Sequence, residues 1–115
     1  MKAVKHSLEY HRAMDTEQVC QRIKMGDSIE TPRDVDQVAY FRSRTDAAAA
    51  ADELRETGYR VTITRRGFGT LAVEAHMLSQ VDQHTVDSFV EKFYALVERH
   101  NGVYDGWGGP VVLGP

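Results

Sequence analysis

The sequence predicts an α+β domain: a β-α-β-β-α-β succession with an antiparallel sheet and one extra helix in front. Three observations carry that reading. Two stretches, opening near Ser43 and at Asp82, combine helix-start residues, apolar positions at three- and four-residue spacing, and a glycine at the end. Two short runs, 59–64 and 70–76, alternate apolar and polar residues and are joined by a turn containing Gly67 and Gly69. Two further strand-like runs, Val35 to Phe41 and one starting at Val103, each stand next to one of the helices.

Taken in order, residues 1–13 are polar and weakly patterned, and are expected to form a flexible segment. From Asp15 or Thr16, the residues Val19, Cys20 and Ile23 form a narrow apolar stripe at helical spacing, and Gly26 suits the position just past a helix end. Pro32 marks a connector, because it lacks an N–H and disfavours helix before it. Val35 to Phe41 is apolar on both faces, the pattern of a central strand covered on both sides. Thr45 or Asp46 caps the next helix, where Ala47 to Ala51 give high helical propensity and small size; Leu54 extends the buried stripe and Gly58 ends it. The alternating hairpin follows, with Arg65-Arg66-Gly67-Phe68-Gly69 as its turn. Asp82 caps the second long helix, whose apolar face is Val86, Phe89, Val90, Phe93, Leu96 and Val97. Asn101-Gly102 closes it and Val103-Tyr104 opens the last strand. The segment 110–115, with two prolines, is expected to fray. Residues 14–109 thus form one domain.

Right-handed crossovers and a hairpin between the middle strands place this succession in the ferredoxin-like, split βαβ arrangement. Two helices would then cover one sheet face. The other face would be left to the N-terminal helix or to a second copy of the chain.

Composition narrows the function. Fourteen basic and seventeen acidic side chains among 115 residues give a net charge of −3, which argues against a general affinity for nucleic acid. A single cysteine, Cys20, forms no internal disulfide and fits a reducing compartment; within a helical stripe it reads as a buried, inert thiol. The N-terminal residues lack an apolar signal segment, and no run approaches membrane-spanning length, so a soluble, cytoplasmic protein is expected. His6, His11, His76, His84 and His100 show no metal-ligand spacing. Asp34 and Asp36 lie on a strand where charges face water. No nucleophile, acid-base pair or cofactor motif stands out, so an enzyme is not expected.

The string Arg66-Gly67-Phe68-Gly69-Thr70-Leu71-Ala72-Val73 resembles the RNP1 strand of an RNA recognition motif. Two of its aromatic positions hold Thr70 and Val73, however, and stacking is the purpose of that motif. A hairpin turn with solvated arginines is the simpler reading.

Gly102-Val103-Tyr104-Asp105-Gly106-Trp107-Gly108 holds the only tryptophan, among three glycines. Together with Gly26-Asp27-Ser28, Thr31-Pro32-Arg33, Val35, Val38, Tyr40-Phe41 and Gly58-Tyr59, it resembles the ribonuclease E regulator B (RraB) family over roughly residues 14–109. The resemblance implies a ferredoxin-like α+β fold and no catalytic residues. It also implies a role as a non-catalytic inhibitor that contacts the scaffold region of the endoribonuclease ribonuclease E. On that reading the candidate partner-binding residues are Tyr104, Asp105, Trp107, Arg65 and Arg66, since aromatic and arginine side chains dominate interface hot spots. Two other readings stay open: an RNA binder using the open sheet face and the Arg66-Gly67-Phe68-Gly69 turn, and a domain whose open face pairs with a copy of itself.

Overall fold

A computed structural model describes residues 4–114. Seven elements follow one another: α1 (Leu8–Lys24), β1 (Arg33–Phe41), α2 (Arg44–Glu56), β2 (Arg60–Arg65), β3 (Leu71–Ser79), α3 (Gln83–Arg99) and β4 (Val103–Gly108). The strands form one antiparallel sheet in the order β2-β3-β1-β4. After α1 the succession is β-α-β-β-α-β, as the periodicities predict.

The helix starts and ends have local causes. Ser43 caps α2, its Oγ accepting from the Asp46 N–H at 3.2 Å, two or three residues earlier than predicted. Asp82 caps α3 by accepting from the Thr85 N–H. Beyond α1 and α2, Gly26 and Gly58 adopt left-handed backbone (φ 85° and 97°). After α3 it is Asn101 that does so, with φ 60°.

Helix α1 departs most from expectation. It begins at Leu8, with Ser7 Oγ accepting from the Tyr10 N–H, so residues 8–13 of the segment predicted to be flexible are helical. Residues just before it are also held: Lys5 pairs with Glu98, and Tyr94 Oη donates to the His6 carbonyl. The buried stripe of α1 is His11, Asp15, Val19 and Arg22; Cys20 and Ile23 are exposed. A helix whose inward face is mostly polar gives almost no hydrophobic periodicity. Lys2 and Pro115 lie outside the described residues.

All three helices lie on one face of the sheet. Val35, Ala39 and Phe41 of β1 pack there with Ala47, Ala50 and Leu54 of α2 and with Val86, Val90, Phe93 and Val97 of α3. Helix α1 runs beside α3 over the β4 edge, through Arg12–Glu91 and the ring contacts of His11 with Tyr94 and Tyr104. It therefore does not cover the opposite face, and β1 is covered on one side only. That opposite face carries Asp34, Asp36, Val38 and Tyr40, alternating with the buried β1 positions.

Candidate functional site

Strand β4 makes an unusual demand. Tyr104 and Trp107 are three residues apart, a spacing that normally sends side chains to opposite faces. Pairing with β1 shifts register between Val38 and Ala39, so that Val38 faces Gly106 while Ala39 faces Tyr104. Asp105 is the extra residue of this bulge, and Gly106 takes φ 141°, a conformation that favours glycine. The bulge turns both rings toward the helices. Gly102 answers a second constraint: a Cβ there would sit 2.4 Å from the Phe41 ring.

Tyr104 is 2% exposed and Trp107 9% exposed. Tyr104 Oη donates to Gln37 Oε1 at 3.1 Å, and burial raises its pKa. The Trp107 Nε1–H donates to Asp15 Oδ1 at 2.9 Å, Phe89 stands edge-on to the indole, and the Arg22 guanidinium lies 5.0 Å from its ring centroid. Burial pushes Asp15 up to about 6, against the lowering effect of the Trp107 hydrogen bond, with Asp87 adding repulsion. Burial likewise lowers the His11 pKa. Of the two roles open to these rings, partner contact and packing within the domain, the structure shows the packing: a seam of α1, α3 and β4 encloses them.

Next to this seam Asp27 is fully enclosed between Arg33, at 2.7 and 2.8 Å, and Arg22, at 3.1 Å. Burial alone would raise the Asp27 pKa, but hydrogen bonds from Arg33, Arg22 and the Val112 N–H outweigh it and the pKa is lowered. The arginines also donate to the carbonyls of Gly109 and Pro110. The Ser28 N–H reaches the Val112 carbonyl at 2.7 Å. Residues 110–113, predicted to fray, are thus tied to the connector before β1.

The other members of the predicted contact set are exposed and lie elsewhere. Asp105 accepts from Tyr40 Oη at 3.4 Å on the open sheet face. Arg65 and Arg66 stand at the β2–β3 turn. β1 and β2 run parallel on either side of β3, so the ends of both strands emerge at the same end of the sheet. Arg42 from the β1–α2 connection and Arg44 at the start of α2 join Arg65, Phe68 and Leu71 around a groove of about 490 Å³. Sequence reasoning picked Arg65 and Arg66 as partner contacts, took Phe68 only as part of an RNA-binding turn, and missed Arg42 and Arg44; the parallel exit of β1 and β2 was the available signal. A second groove, of about 750 Å³, runs between α2 and α3 over Leu54, Met77, Phe89 and Phe93. Glu53 bridges its rim by pairing with Arg99 and His100.

The open face does not resemble an RNA platform. Pairing places Asp36 beside His76 and Val38 beside Glu74, with Arg60 and His76 both bonded to Asp34. Of Phe, Tyr and Trp, the strands present only Tyr40 on this face, and the His76 ring there is held by Asp34. Among the described residues no group of three or more His, Cys, Asp or Glu side chains is placed to hold a metal ion, and no helix is long and apolar enough to cross a membrane.

The family described as regulator of ribonuclease activity B (RraB) matches residues 13–109. This chain belongs to that family. The match runs from within α1 through β4 and includes Asp15, Arg22, Asp27, Arg33 and Trp107. Among curated proteins, none matches the chain. The residues that carried the resemblance, Asp27, Arg33, Gly102, Tyr104 and Trp107, all do structural work in this RraB-family fold.

Proposed function

We propose that this chain regulates a ribonuclease by non-catalytic contact with a protein, the target being an endoribonuclease of the ribonuclease E type. The observation that supports the reading is the RraB family assignment across residues 13–109. Residues 14–109 act as one unit in this reading. Its accessible contacts are Arg65, Arg66 and Asp105, while Tyr104 and Trp107 act from beneath by fixing the bulge that presents Asp105. A target of this kind places the protein in the reducing cytoplasm, in keeping with its single cysteine.

The test uses purified full-length chain and the scaffold region of ribonuclease E. Retention of that region at micromolar concentrations, with slower cleavage of an RNA substrate by the whole nuclease, is the expected result. No retention together with an unchanged cleavage rate would overturn the proposal.

A further inference from the structure

The sequence has ten arginines. Six of them, Arg12, Arg22, Arg33, Arg55, Arg60 and Arg99, form salt bridges among the described residues. The remaining four are Arg42, Arg44, Arg65 and Arg66, and the fold gathers them at one end of the sheet. The chain has more carboxylates than basic groups, yet none lines this groove. Phe68 stands beside it fully exposed, on a turn where Gly67 and Gly69 both take left-handed backbone. Unpaired guanidinium groups around an exposed ring match the composition of interface hot spots.

We infer that this end of the sheet is a docking groove for an acidic protein segment. Carboxylates of the segment pair with Arg42, Arg44 and Arg65, and an apolar side chain of the segment rests on Phe68 and Leu71. The inference rests on the reading of the chain as a contact regulator and names the chemistry of the surface that contact uses. Guanidinium groups match carboxylates in bidentate geometry. The basic charge is confined to one end, which suits a short segment. A longer polyanion such as RNA would continue across the open face, where it meets Asp34, Asp36, Glu74 and Asp105, with only Tyr40 and the Asp34-bound His76 as rings for stacking.

Fluorescence anisotropy on the full chain tests this with two labelled probes, a short peptide of alternating Asp and Leu and a single-stranded RNA of similar length. The peptide is expected to bind more tightly than the RNA, and added salt to weaken it. Arg42→Glu/Arg65→Glu should weaken the peptide about tenfold or more, and Phe68→Ala a few-fold, with the thermal midpoint unchanged. Arg42→Ala/Arg65→Ala serves as a second variant should charge reversal disturb the fold. RNA binding tighter than the peptide and lost in these variants overturns the inference in favour of nucleic acid. A wild-type dimer in sedimentation that the same variants dissociate overturns it in favour of a second copy. No peptide binding, or peptide binding indifferent to the arginines, also overturns it. If Arg42→Glu/Arg65→Glu still captures the ribonuclease E scaffold region, the groove is removed and the regulator reading stands.

Discussion

Strand β1 begins at Arg33 and ends next to Arg42, and the two arginines lie in opposite surroundings. Arg33 is enclosed, doubly bonded to Asp27 and bonded to the carbonyls of Ser28, Thr31 and Pro110. Arg42 is exposed, has no carboxylate partner among the described residues and faces a groove. At the first end a guanidinium, a carboxylate and an indole lock α1, β4 and the chain after β4 together. At the second the same residue type stands ready for a partner. Charge and aromaticity alone do not mark an interface; satisfaction of the groups does. Tyr104 and Trp107 belong to the satisfied end, and Arg65 and Phe68 to the open one.

The largest expected effects lie in the lock. Trp107→Ala removes a buried indole and a hydrogen bond, and should cost about 3–5 kcal/mol of folding stability. Asp27→Ala leaves two buried arginines unpaired and should cost about 3–5 kcal/mol. Chemical denaturation measures both; values under 1 kcal/mol would mean the seam is not the structural end of the molecule.

Asp15 comes next, through pH. Its ordinary value of 3.8 is pushed up to about 6 in the fold, so the unfolded chain gives up its proton first. The stability this group contributes is complete below about pH 4 and is lost as pH rises to about 6; the difference is about 3 kcal/mol. Asp15→Asn keeps an acceptor for the Trp107 Nε1–H and carries no charge. It should flatten the stability profile between those values and raise stability at neutral pH. An unchanged profile would show that Asp15 does not govern α1 docking.

Gly102→Ala is smaller, because the added methyl collides only with the Phe41 ring, which has to shift; about 1–3 kcal/mol is expected from thermal unfolding. Smallest of all, Arg42→Ala should change stability by no more than about 0.5 kcal/mol. A loss comparable to that of Trp107→Ala would erase the contrast between the two ends.

The helices α2 and α3 and the hairpin were legible because their apolar residues recur at the period of the element. Helix α1 was largely hidden, since its inward positions His11, Asp15 and Arg22 are polar and are satisfied only by β4, α3 and the connector. For the same reason the sequence left Tyr104 and Trp107 open between partner contact and packing: the helix that covers them left little trace in the hydrophobic pattern. Cys20 went the other way, placed inward by a stripe that the polar face displaced. Arg42 and Arg44 escaped notice because Arg65 and Arg66 are distant in sequence and meet them only through the parallel β1 and β2.

The central proposal is that contact with a ribonuclease depends on the arginines of the basic end and not on the buried rings Tyr104 and Trp107. The most direct measurement is the affinity of the ribonuclease E scaffold region for the Arg42→Glu/Arg65→Glu chain, with the thermal midpoint recorded on the same sample. The account predicts a midpoint equal to that of the wild type and affinity weakened about tenfold or more. Wild-type affinity at a wild-type midpoint would contradict it.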